Sequence, residues 1–79
     1  MEQLIVTKAA DDVFDFKSFW TDVEKYLIRR NMSKTDFSHI LWVDRSQLVN
    51  RMNNRKSASL RWVVLASKYC DLDMNKYIL

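Results

Sequence analysis

The sequence predicts an all-α domain, a compact bundle of about five short helices. Three observations carry that expectation. Apolar residues recur at three- and four-residue steps in one segment after another. Serine and aspartate residues of the helix-starting type stand just ahead of those segments. No stretch shows the period-two alternation of a long strand. With 79 residues, 48% of them apolar, and neither glycine nor proline, the chain is one domain near the lower size limit for a single core. It folds without staples only if its aromatic residues, among them Phe14, Phe16, Phe19, Trp20, Trp42, Trp62, Tyr69 and Tyr77, are mostly buried.

The first helix is expected over residues 16–30, where Phe16, Phe19, Trp20, Val23, Leu27 and Ile28 form one apolar face; Asp15 or Ser18 could cap it. A second start follows at once, because Ser33 and Asp36 make an S-x-x-D pattern ahead of Phe37, Ile40 and Leu41, giving a short helix over residues 34–41. Asp44 offers a fresh cap for a third helix over residues 45–53, with Leu48 and Met52 inward and Val49 flanking them. Asn53 and Asn54 close it, since asparagine tolerates the left-handed backbone that a helix exit wants. Ser57 and Ser59 are candidate caps for a fourth helix carrying Leu60, Val63, Val64, Ala66 and Tyr69. After a polar break over residues 71–73, a last short helix carries Met74, Tyr77 and Ile78. Leu4 to Val6 is the only β-prone fragment.

Net charge is +3, unevenly distributed. Residues 1–24 hold six acids (Glu2, Asp11, Asp12, Asp15, Asp22, Glu24) against Lys8 and Lys17, and the remainder of the chain carries a net +7. From Arg45 to Cys70 there are six bases and no acid. A one-sign stretch suits a polyanion, nucleic acid first. A solvated basic face carries the same charges, so charge alone leaves the two readings level.

From Phe16 to Ile78 the chain resembles the helix-turn-helix domain of the lambdoid phage repressor and Cro type, the xenobiotic-response-element regulators. "MSKTDFSHIL" stands where the family has helix two, "VDRSQLVNRMNN" where it has the recognition helix, "RK" after it, and "LRWVVLASKYCDLDMNKYIL" at the closing helix pair. Phe37 and Ser38 match the apolar and small positions of helix two, Leu48 and Met52 the apolar positions of helix three, and Ala66 the alanine of helix four. The resemblance divides the chain into an acidic arm, residues 1–15, and a DNA-binding domain, residues 16–79.

Two departures concern backbone. The family's turn glycine falls at Trp42 and the glycine after helix three at Asn54. Asparagine fits the second position, but a bulky residue at positive φ costs about 1 kcal/mol or more. The turn is therefore expected to adopt another conformation, with Trp42 packed over the edge of the core. A third departure places Leu27 and Met52 where many family members pair arginine with glutamate, an exchange of ion pair for apolar contact that is often neutral in energy. The chain is also one residue longer than the family near Asp71.

A helix-turn-helix presents the amino-terminal half of its second helix to base edges in the major groove, and its surroundings to phosphate. With Leu48 and Met52 inward, the expected base contacts are Arg45, Ser46, Gln47, Asn50 and Arg51. Arginine can bond bidentately to guanine, and glutamine or asparagine to adenine. Expected phosphate contacts are Ser33 and Lys34 at the start of helix two and Asn53, Asn54, Arg55 and Lys56 after helix three.

No nucleophile motif or glycine-rich phosphate loop is present, so no catalysis is expected. His39 has no partner at metal spacing, and no metal, cofactor or small-molecule ligand is implied. Cys70 reads as a small buried core residue, and a lone cysteine suits a reducing compartment. With neither an apolar span nor a signal-like start, the expected setting is cytoplasmic. The expected partner is double-stranded DNA, a palindromic operator bound by a homodimer through the region after helix three and the C-terminal helices. The acidic arm repels phosphate; it could pack on the core, mediate dimerisation or be mobile. Trp62, Tyr77, Ile78 and Leu79 are candidates for an exposed partner surface. The competing readings are a protein-interaction module on the same scaffold and a non-specific architectural DNA binder.

Overall fold

The structure, a computed structural model, describes residues 13–79. The expected fragment Leu4–Val6 and nearly all of the acidic arm lie outside the described residues. Four α-helices follow in order: α1 (Phe16–Arg29), α2 (Lys34–Leu41), α3 (Arg45–Asn53) and α4 (Leu60–Cys70). In place of a fifth α-helix there is a single 3-10 turn, Met74–Tyr77. The described part of the chain is all-α.

Each α-helix starts on a side-chain oxygen that accepts an otherwise orphaned amide. Asp15 accepts from Ser18 N at 3.2 Å, Ser33 from Asp36 N at 3.0 Å, Asp44 from Gln47 N at 2.9 Å and Ser59 from Trp62 N at 3.4 Å. Caps of this kind contribute about 1 kcal/mol apiece. Of the alternatives open in the sequence, Asp15 rather than Ser18 and Ser59 rather than Ser57 are the residues used.

The exits are built just as uniformly. After α1, α2, α3 and α4 the chain passes through Asn31, Trp42, Arg55 and Asp71, all at positive φ between 53° and 59°. In every case the amide one residue further on reaches back five residues: Met32 N to Leu27 O, Val43 N to Ser38 O, Lys56 N to Arg51 O and Leu72 N to Ser67 O, at 2.8 to 3.1 Å. This is the Schellman arrangement, which satisfies the last carbonyls of a helix and usually brings an apolar residue back onto it. Met32, Val43 and Leu72 do so, half-buried against the core. Lys56 is the exception. There the indole of Trp20 donates to the Lys56 carbonyl at 2.7 Å and ties the exit to α1 instead.

Two expectations fail here. Trp42 does take the left-handed conformation (φ 59°, ψ 47°) and is 86% exposed rather than packed on the core. The reason is local: the left-handed residue of the motif points outward, and its successor, Val43, takes the inward place. After α3, the left-handed residue is Arg55 and not Asn54, whose φ is −100°.

The core is contributed by every helix: Phe16, Phe19, Trp20, Val23 and Leu27 of α1, Phe37 and Leu41 of α2, Leu48 and Met52 of α3, and Val63, Ala66 and Cys70 of α4. Leu27 and Met52 are both buried. Phe14, Phe16, Phe19 and Tyr77 form an aromatic cluster with ring centroids 4.7 to 6.5 Å apart. Burial pushes the Cys70 thiol up to about 12, so it is an inert core thiol. Ile28 and Leu60 leave the expected apolar faces and are mostly exposed, being near the end of α1 and at the first position of α4, where the helices overhang the core.

The two ends of the described chain lie side by side. Phe14 and Ile78 form an antiparallel bridge, with Asp15 N donating to Tyr77 O at 2.7 Å and Leu79 N to Val13 O at 2.9 Å. Tyr77 is buried, contrary to its expected exposure, because its hydroxyl donates to Asp22 on α1 at 2.6 Å. Ile78 and Leu79 are exposed and Trp62 is half-buried.

Candidate nucleic-acid interface

The outer face of α3 follows from how α3 is held. Asp44 fixes its first turn, and Leu48 and Met52, both fully buried, fix its rotation. Arg45, Ser46, Gln47 and Asn50 therefore face solvent together. Among the described residues, the side chains of Arg45, Ser46 and Gln47 have no hydrogen-bond or ion-pair partner, which leaves their donors and acceptors available. Asn50 uses its carbonyl oxygen to accept from the Asn54 amide at 2.6 Å, and its own amide remains outward.

Arg51 is placed differently. It is half-buried, donates to the Ser57 carbonyl at 2.8 Å and lies 5.5 Å from the centroid of the Trp62 ring. Its guanidinium thus braces the segment between α3 and α4.

The six residues expected at phosphate split into two groups. Lys34, Asn53 and Arg55 meet around one carboxylate on α1. Lys34 Nζ is 3.1 Å from Glu24 Oε2 and donates to Asn53 Oδ1 at 2.6 Å, while Arg55 donates to Glu24 Oε1 at 2.9 Å and to the Met52 carbonyl. This network joins the start of α2 and the end of α3 to α1. The Arg55 hydrogen bond holds the Glu24 carboxyl below its ordinary value against the opposing effect of burial, and Lys34 adds to it. Ser33 uses its hydroxyl as the α2 cap, Asn54 binds back to Asn50, and Lys56 carries an exposed ammonium beside a carbonyl held by Trp20.

Glu24, Trp20 and Trp62 organise this surface without having been singled out in the sequence for it. Their partners lie outside any local pattern: Arg55 is 31 residues from Glu24, and Lys56 is 36 from Trp20.

An apolar groove of about 350 Å³ lies at another corner, lined by Val13, Phe14, Phe16, Ala58, Leu60, Val63, Met74 and Ile78. It begins a few residues beyond the exit of α3. Among the described residues no cluster of three or more His, Cys, Asp or Glu side chains is assembled, and no helix is long and apolar enough to cross a membrane.

No family model matches this chain, and no curated protein or solved structure matches it significantly.

Proposed function

We propose that this chain is a sequence-specific double-stranded DNA-binding regulator of the phage repressor or Cro type, in which α2, the turn at Trp42 and α3 act as a helix-turn-helix. The observation that carries this reading is the outer face of α3. On a helix whose Leu48 and Met52 are fully buried, Arg45, Ser46, Gln47 and Asn50 are exposed side by side, with no acidic residue on the helix. Arg45 matches guanine, and Gln47 and Asn50 match adenine, by bidentate geometry. Ser33, Asn54 and Lys56 would take phosphate, while Lys34 and Asn53, joined to each other at 2.6 Å, would do so together on one side and, for Lys34, in competition with Glu24. Arg51 enters as a base contact only by leaving Ser57 and Trp62, so its first role here is to hold the α3 exit. Arg55 similarly reaches phosphate only in exchange for Glu24.

The same reading includes a homodimer on a palindromic operator. The apolar groove beside Leu60 and Ile78 includes Ala58, which follows the α3 exit in sequence, and a second copy seated there would double the contacts of a small domain. This groove and the exposed Trp42 also favour the competing reading, a protein-interaction module, over a purely electrostatic binder.

Binding to a randomised duplex library at stated ionic strength, followed by sequencing, tests the proposal. Recovery of a palindromic motif supports it. Salt-sensitive binding with no motif supports a non-specific architectural binder. No binding at low salt contradicts both and leaves the interaction module.

A further inference from the structure

Trp42 stands apart from the other three helix-exit residues. Asn31 and Asp71 belong to the residue types that tolerate positive φ best, and Arg55 at φ 53° is compensated by its bonds to Glu24 and the Met52 carbonyl. Trp42 combines φ 59° with 86% exposure, and its indole N–H has no acceptor among the described residues. The core contact that the motif needs comes from Val43. The fold thus bears the conformational cost of a bulky left-handed residue and receives no packing from the ring. A strained backbone kept without internal compensation points to a use outside the molecule.

The location narrows that use. Trp42 lies three residues before Arg45, and the chain between them is fixed by the half-buried Val43 and by Asp44, which caps α3. The ring borders a shallow hollow shared with Ser38, His39 and Val43, next to the end of α3 that carries Arg45, Ser46 and Gln47. The Asp44 carboxylate there accepts from the backbone N–H of Gln47 and is held at the start of α3 by that bond. A duplex entered by that end of α3 presents deoxyribose and thymine methyl groups, which are apolar, beside the bases.

We propose that Trp42 is a DNA-contact residue whose indole packs on sugar and thymine-methyl surface at the edge of the groove that α3 enters. This rests on the DNA-binding reading and adds to it an apolar contact outside the recognition helix. It also explains why glycine, the residue that suits the turn, is replaced: stability is exchanged for affinity.

The test uses the full chain, a duplex recovered by selection with the wild type, and the Trp42→Gly and Trp42→Phe variants. Trp20 is fully buried and Trp62 half-buried, so acrylamide quenching of the free protein reports mainly Trp42. The expected result is loss of that quenching on saturation with duplex. Trp42→Gly should bind at least about fivefold more weakly while its melting temperature rises by a few degrees, and Trp42→Phe should keep most of the affinity. Wild-type binding with the ring as quenchable as before, or a Trp42→Gly variant that binds as tightly, overturns the Trp42 assignment and leaves the DNA-binding reading intact. Failure of the wild type to bind any duplex at low salt overturns both.

Discussion

The Glu24 carboxylate meets the Arg55 guanidinium at 2.9 Å, joining α1 to the exit of α3 across 31 residues of sequence. Lys34 closes on the other carboxylate oxygen at 3.1 Å. One acid thus holds together two cations that the DNA-binding reading assigns to phosphate, one from the start of α2 and one from the exit of α3. Glu24→Gln removes the charge and keeps the shape. The side chains are about a quarter to a third exposed, so solvent screening limits the expected loss of stability to about 1 kcal/mol. Because the folded-state pKa of Glu24 is depressed, its contribution is present above the ordinary carboxylate range and is lost as pH falls through the folded value. Urea melts from pH 7 to pH 3 should show a shallower acid decline in the variant than in the wild type. The freed Lys34 and Arg55 should also steepen the salt dependence of DNA binding, by up to about two in slope.

Tyr77 and Asp22 form a second long-range tie, at the closed end of the bundle. Tyr77→Phe leaves the ring in the core and deletes the 2.6 Å bond, at an expected cost of about 1–2 kcal/mol. The hydroxyl donation lowers the Asp22 pKa, helped by Lys76, and burial together with Asp22 raises that of Tyr77. The signs differ. The Asp22 contribution is lost as pH falls through its folded value, whereas that of Tyr77 is complete below its ordinary value of 10.0 and declines as pH rises beyond it. Thermal melts at pH 9 to 11 should fall more steeply for the wild type than for Tyr77→Phe.

Adjacent residues at the end of α2 should respond in opposite directions. Trp42→Gly relieves a left-handed bulky residue and should raise stability by about 1 kcal/mol, less the added entropy of glycine in the unfolded chain. Val43→Ala removes the apolar contact that completes the same motif and should lower stability by about 1–2 kcal/mol. Equilibrium urea denaturation of the two single variants is sufficient to read both.

The contrast between helix starts and helix exits shows what was legible in the sequence. Ser33 and Asp44 announce α2 and α3 because a cap needs only one side chain and an amide three residues on, both local. The exit at Trp42 is not local in that sense. Its backbone is dictated by Val43 turning inward onto the core, and composition alone favours a different turn. The apolar residue after the exit, Met32, Val43 or Leu72, marks these turns, rather than a glycine at the exit. Ile28 and Leu60 fall on the apolar faces by periodicity, which does not record where a helix outruns its neighbours. The outer face of α3 was legible once Leu48 and Met52 set its rotation. The internal engagement of Arg51 and Arg55 was not, since Ser57, Trp62 and Glu24 reach them only in the folded chain.

Two substitutions on the proposed interface should separate readout from attraction. Gln47 has a free amide on α3, and Lys56 a free ammonium beyond it. Neither supports the fold, so both alanine variants should melt like the wild type, within about 0.5 kcal/mol. Lys56→Ala should weaken binding to all duplexes alike and reduce the salt slope by about one, as measured by binding titrations at several salt concentrations.

The most direct measurement is selection from randomised duplexes with the wild type and Gln47→Ala side by side, at one ionic strength. A palindromic motif for the wild type, with a changed preference at one symmetric pair of positions for the variant, is the predicted result. The same motif from both proteins, or no motif from either, would contradict the claim that the amino-terminal face of α3 reads DNA sequence.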